Sequence, residues 1–245
     1  MQRYFINESF NHELAIISGD DAHHIMKVMR MRAGDEIIVV HNGEATICEI
    51  AKLTEEGVHV QKTMRTLPSP ELPIHVTIAC GLPKGDKLDL MVQKSTELGM
   101  YSFIPFEAER SVVKWDSKKG KKKQERLQKI AKEAAEQSHR THIPMIQEPI
   151  SFKRLLQEVE NYDVVFLADE EDAKQEVRTR FAEQLKKVYD NQSMLVIFGP
   201  EGGIDRGEAQ ALRQLGCQPI ALGPRILRAE TAPFYVLSAI SYEFE

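Results

Sequence analysis

The chain has 245 residues, 42% apolar and 28% charged, with a net charge of −5. That composition suits a folded chain with a sizeable core in one large or two modest domains, and it confines any nucleic-acid surface to a local patch. No stretch approaches the roughly 20 apolar residues of a membrane span, the opening MQRYFINESFN has no apolar signal core, and Cys48, Cys80 and Cys217 form no Cys-x-x-Cys, which fits a reducing cytoplasm without disulfides or zinc.

In chain order, the first pattern is Asp21–Met31, where Ile25, Val28 and Met29 recur at helical spacing. Three β-like runs follow: Glu36–His41, Ala45–Ala51 and Gly57–Lys62. Asn42-Gly43 between the first two is a hairpin signal. The segment RTLPSPELP at 65–73 carries Pro68, Pro70 and Pro73, which suit neither a helix nor a central strand, so the domain boundary is placed there. Residues 1–68 read as a small, mostly β, barrel-like domain, and 74–245 as a second domain of different character.

Beyond the boundary, apolar runs alternate with helices. The runs are Ile74–Cys80, Tyr101–Phe106, Asp163–Ala168, Met194–Phe198 and Pro219–Leu222; the helices are predicted over about 86–98, 122–141, 174–189, 205–215 and 230–243. Runs such as VVFLA and MLVIF lack polar alternation, as expected of strands buried on both faces of a parallel sheet. Asp205 and Glu208 make an Asp-x-x-Glu helix start. Residues 114–132 hold nine Lys or Arg against two acids; a solvated helix face and a surface tracking phosphates both fit, and Arg110 and Arg140 at either end favour RNA or DNA.

Two loops carry the functional signal. Gly199-Pro200-Glu201-Gly202-Gly203 leaves one strand end, and Leu222-Gly223-Pro224-Arg225-Ile226-Leu227-Arg228 leaves another. The first has neither the Lys-Ser/Thr of a phosphate loop nor Gly-x-Gly-x-x-Gly, and taken alone it reads as a tight connection. Facing each other at strand ends, the two loops would make one pocket of apolar side chains and free main-chain groups, suited to a flat heterocycle such as adenine.

The pair FGPEGGID and LGPRILRAETAP, with LPKGDKLDLMVQKSTELG and KEAAEQSHRTHIP upstream, resembles the RsmE family of ribosomal RNA uridine methyltransferases of the SPOUT class, over the whole chain. The first domain matches through Arg3-Tyr4-Phe5 and HHIMKVMR at 23–30. The resemblance implies an α/β SPOUT fold with a parallel sheet and a C-terminal trefoil knot, preceded by a PUA-like RNA-binding β-barrel. It implies S-adenosylmethionine bound in a bent form, a homodimer, and ribosomal RNA of the small subunit (16S) as partner, methylated at N3 of a uridine. The cofactor loops map onto Leu167-Ala168-Asp169-Glu170, Gly199–Gly203 and Leu222–Thr231, with Leu167, Ala168, Gly199, Pro200, Glu201, Gly202, Leu222, Gly223, Ile226, Leu227, Arg228, Thr231 and Ala232 as the cofactor wall.

A uridine imide nitrogen is a poor nucleophile until its proton leaves, so the site needs a base or a cation that stabilises the resulting anion. Arg228 and Arg140 are candidates for the cation; Glu201 and Glu230 are candidates for the base, or for holding an arginine or the cofactor amine. A structural ion pair is the alternative for each. RNA contacts are expected at Arg3, Arg30, Lys84, Lys87, Arg110 and Arg140, each of which would otherwise be an ordinary surface cation. Glu136, His139 and His142 lack the second Glu-x-x-His of a di-metal site, so no metal is expected. The rival readings are a SPOUT enzyme acting on a ribose hydroxyl or another base, and a non-catalytic ribosome-assembly factor.

Overall fold

The computed structural model describes residues 1–169 and 180–245. The chain forms two compact units, one of Met1–Glu71 with Ala135–His142, the other of Leu72–Ala134 with Ile143–Glu245.

The first unit is built on a five-stranded sheet ordered β1-β3-β4-β5-β2. Its strands are β1 (Arg3–Phe5), β2 (Leu14–Ile17), β3 (Glu36–His41), β4 (Glu44–Leu53) and β5 (Val58–Leu67). Only β1 and β3 pair parallel. The β3–β4 turn places Asn42 at φ 50° and Gly43 at φ 80°, the two left-handed positions that a two-residue hairpin matched to strand twist demands. The expected helix over 21–31 is split: α1 spans Gly19–His23, and a wider π turn follows at His24–Val28. Alternate residues of the strands, among them Ile37, Val39, Cys48, Ile50, Val58 and Val60, meet Tyr4 and Ile25 in one apolar cluster.

The second unit carries a wholly parallel sheet ordered β12-β10-β11-β6-β7-β8, with β9 also on β7. These strands are β6 (His75–Gly81), β7 (Ser102–Glu107), β8 (Met145–Ile146), β9 (Ile150–Ser151), β10 (Val164–Ala168), β11 (Ser193–Phe198) and β12 (Gln218–Ile220). The helices are α2 (Lys87–Glu97), α3 (Ser117–Gln137), α4 (Phe152–Glu158), α5 (Phe181–Leu185), α6 (Arg206–Gln214) and α7 (Thr231–Phe244). Thus the expected parallel α/β sheet, preceded by a small β domain, is present. Of the helix predicted over 174–189, the part at 174–179 lies outside the described residues, and α5 covers the rest in part.

Each central strand feeds two cores. On β11, Met194, Val196 and Phe198 enter one cluster, and Leu195 and Ile197 enter the other. Side chains alternate across a pleat, so a strand covered on both faces has no polar partner to alternate with. Among the described residues no helix is long and apolar enough to cross a membrane.

Candidate active site

Beyond the carboxyl ends of β10 and β11 lies a cleft of about 370 Å³, within the size range of small-molecule sites. One wall is the loop after β11. Its Gly203 amide donates to the Pro200 carbonyl at 2.9 Å and closes a tight turn. The turn folds back so far that a Cβ on Gly199 would lie 2.6 Å from the Gly203 carbonyl carbon. Equally, a Cβ on Gly81, at the end of β6, would lie 2.5 Å from Cδ of Pro200. Glycine at both places lets main chain pack on main chain. The loop then enters α6 through a capping box: the Asp205 carboxylate accepts from the Gly207 amide at 2.8 Å, and Glu208 accepts from the Asp205 amide at 3.3 Å.

The facing wall is Ile226–Glu230 with Ala232, and Ala168, Phe198 and Ile204 complete the apolar lining. Ile226 is 73% exposed, an apolar side chain left open beside a cleft. A recess of about 90 Å³ continues from the cleft, bounded by Leu222, Gly223 and Arg225 and sharing Ala168, Ile226, Leu227 and Ala232 with it.

The charged rim is one linked group. Lys87, on the first turn of α2, pairs with Glu201 at 2.8 Å and stands 3.4 Å from Oε2 of Glu230. The Lys84 amide donates to both Glu201 oxygens at 3.1 and 3.4 Å. Burial pushes the Glu201 carboxyl up, but Lys87 and the neighbouring amides outweigh it and hold Glu201 below the usual carboxylate range. The Glu201 hydrogen bond, reinforced by the charge of Glu230, raises the Lys87 ammonium above the ordinary lysine value. Asp169, nearly buried, faces Nη2 of Arg213 at 3.4 Å on the cleft floor.

Of the residues singled out by sequence, Ala168, Gly199, Pro200, Glu201, Ile226, Leu227, Arg228 and Ala232 line the cleft, and Leu222 and Gly223 the recess. Three do not. Leu167 is fully buried in the other core layer, because its side chain lies across the pleat from Phe166 and Ala168. Gly202 turns toward Arg110, whose Nη1 donates to its carbonyl at 3.0 Å. Thr231 opens α7 without bordering either space. Glu170 lies outside the described residues.

The expected RNA contacts divide as well. Arg30, Lys84 and Arg110 are exposed, and Arg30 holds a left-handed φ of 53° just after the π turn. Lys87 belongs to the cleft rim instead. Arg3 and Arg140 are only 5% and 4% exposed, so neither presents a cation to a phosphate. Arg3 donates to the Arg140 carbonyl at 2.7 Å, and Arg140 pairs with Glu71, within the first unit. For Arg140 the structural ion pair therefore displaces the catalytic role. Sequence reasoning left out Lys87, Phe198 and Ile204 as cleft residues, while Asp169, Gly203 and Ala229 fell inside its cofactor loops without being named as wall. The KGDK motif that opens α2 was the available signal for Lys87.

A cleft of main-chain corners at the strand ends of a parallel α/β sheet fits the family models that match this chain. Residues 70–241 match the RNA methyltransferase domain family, and residues 17–63 match the RNA methyltransferase PUA domain family. The chain is thus of the RNA methyltransferase class. The chain is 47% identical to the ribosomal RNA small subunit methyltransferase E of Bacillus subtilis (strain 168), across 100% of this chain and 98% of that one. It is 44% identical, with a TM-score of 0.92, to a solved structure described as a hypothetical protein, covering 100% of this chain and 99% of the other. A Legionella pneumophila structure in complex with the bound cofactor S-adenosylmethionine is 25% identical, with a TM-score of 0.83, over 98% of this chain and 97% of its own. The chain belongs to the ribosomal RNA small subunit methyltransferase E family, the one its motifs resemble.

Proposed function

We propose that the protein transfers a methyl group from S-adenosylmethionine to N3 of a uridine in small-subunit (16S) ribosomal RNA. The observation that carries this reading is the cleft itself, lined by the Gly199-Pro200 corner after β11 and by Ile226–Glu230 after β12, the two strands that flank β10, with Gly223 in the adjoining recess. Its volume, apolar side chains and glycine turn suit an adenosyl group, and its carboxylates suit a ligand that carries positive charge. Bound there, the cofactor would supply an electrophilic methyl carbon. The main chain of Gly199–Glu201, Gly203 and Ile226–Ala229 would hold the adenosyl group, and Phe198, Ile204 and Leu227 would exclude water from it. Arg228, on the same wall, would stabilise negative charge on the ring carbonyls as the imide proton leaves.

On this reading residues 1–68 form the RNA-binding barrel and 74–245 the catalytic domain, a division supported by the extents of the two family matches. Exposed Arg30, Lys84 and Arg110 would contact phosphates. The trefoil knot, the homodimer and a cytoplasmic location accompany the reading as features of such enzymes.

Two measurements test it together. Calorimetry is expected to give saturable S-adenosylmethionine binding, and nucleoside mass spectrometry of treated small-subunit RNA to give N3-methyluridine. Arg228→Ala is expected to keep its fold and lose about 10²–10³-fold in rate. A methyl group found on a ribose or another base would replace the substrate assignment, and absent cofactor binding would favour an assembly factor.

A further inference from the structure

The two carboxylates at the cleft rim are in unequal states. Glu201 is saturated, with the Lys84 amide on both oxygens and the Lys87 ammonium at 2.8 Å. Glu230 is more enclosed, with a side chain 15% exposed against 31% for Glu201. Its Oε2 is covered, yet it accepts no hydrogen bond. Lys87 Nζ stands 3.4 Å from that oxygen, close enough for charge attraction but misaligned for a hydrogen bond. A covered oxygen left without a donor is costly to keep unless something else meets it.

Lys87 is equally unlike a phosphate contact. A lysine that grips a phosphate serves best unpaired, whereas this one is aimed along the cleft rim by two acids. The Glu201 hydrogen bond keeps it protonated, so it offers a fixed positive charge and N–H donors rather than a base.

We propose that Lys87 is a catalytic residue of the methyl transfer, hydrogen-bonding a carbonyl oxygen of the target pyrimidine while Glu230 takes the ring N–H proton, and that Glu201 is the positioning residue that holds the ammonium in place. The proposal rests on transfer to an imide nitrogen, as argued above. The N–H bond breaks toward Oε2 of Glu230, which becomes a neutral acid. The electron pair left on the ring nitrogen forms the new bond to carbon, and the carbon–sulfur bond breaks with its pair going to sulfur. A carboxylate and a sulfonium become a carboxylic acid and a thioether, so charge balances. The ring anion has two flanking carbonyl oxygens, and Lys87 and Arg228 on the cleft lining supply a cation for each.

The test uses the full chain with small-subunit RNA, measured in single turnover at saturating cofactor, with calorimetry for cofactor and RNA. Lys87→Met is expected to lower the transfer rate about 10²–10³-fold, while both dissociation constants stay within about threefold of wild type. Lys87→Arg should recover at least roughly tenfold, because a cation is restored, whereas Glu201→Gln should slow transfer and leave RNA affinity unchanged. RNA transcribed with 5-fluorouridine, whose ring nitrogen ionises more readily, should bind wild type more tightly than uridine RNA, and Lys87→Met should abolish that preference. The last readout needs no turnover. Lost RNA affinity with the transfer rate kept would make Lys87 a phosphate contact and overturn the proposal. So would an unchanged Lys87→Met, or a 5-fluorouridine preference that survives it. Wild type that leaves N3 unmethylated would instead overturn the function proposed above, and this assignment with it.

Discussion

Glu71 gathers donors from three successive residues, Arg140, Thr141 and His142. Nε of Arg140 donates to its Oε2 at 3.0 Å, and the amides of Thr141 and His142 donate to Oε1 at 2.7 and 3.1 Å. Burial pushes the carboxyl up, but Arg140 and the Thr141 amide overcome that and hold it below the usual range. A folded-state value below the unfolded one of about 4.3 gives stability that is full at neutral pH and is lost as pH falls through the folded value. Glu71→Gln is therefore expected to cost about 3 kcal/mol at pH 7 by removing the carboxylate charge that faces the buried Arg140 guanidinium. Urea unfolding should show the gap from wild type narrowing below about pH 4, and a gap constant with pH would show that Glu71 is not ionised in the fold. The same residues mark the limit of sequence reading at this scale. Arg3, Arg140 and Lys87 are all cations in motifs, and a motif does not say whether a cation faces water, a core or a cleft. That depends on where a distant carboxylate arrives: Glu71 for Arg140, Glu201 and Glu230 for Lys87.

At the scale of elements, legibility followed periodicity. The buried strands β6, β7, β10 and β11 and the capped helix α6 were visible because apolar runs and capping residues are local signals. Strands β1, β2, β8 and β9, of two to four residues, were not, since runs that short are defined by partners rather than by pattern. The face of a doubly covered strand was illegible too, which is why Leu167 was assigned to the cleft while Phe198 was passed over. The loop after β11 was read from its glycines, and its geometry gives those glycines separate tasks. Gly203 holds a φ of 72°, while Gly199 has no room for a Cβ against Gly203 and Ile204. Gly199→Ala must therefore open the turn that forms one cleft wall. It is expected to weaken S-adenosylmethionine binding by at least about tenfold in calorimetry while far-ultraviolet circular dichroism stays native. Unchanged affinity would mean that this turn does not touch the cofactor.

Over the whole molecule, the proline-rich segment at 65–73 announces a change of character, and the first unit does run to Glu71. What composition could not announce is the chain's return. Residues 135–142 begin in the last turn of α3, a helix read as part of the second half, yet they belong to the first unit. The helix α3 ends there through His139 in a left-handed conformation, φ 58°, and the Arg140 amide donates back to the Ala135 carbonyl at 2.9 Å. The returning segment then supplies the carbonyl that Arg3 needs and the guanidinium and amides that Glu71 needs. No stretch of sequence encodes that exchange, because its halves lie about 70 and 137 residues apart. A fragment ending at residue 71 would thus keep Arg3 and Glu71 and lose every partner named here. Taking these partners from buried Arg3 and half-buried Glu71 costs several kcal/mol, comparable to the whole stability of a small domain. The fragment 1–71 is expected to show no cooperative thermal transition. Replacing both charges, Arg3→Met with Glu71→Gln, or adding a peptide of residues 135–142, should restore one. If fragment 1–71 melts as cooperatively as the full chain, the returning segment is an ornament of the first unit and not part of its framework.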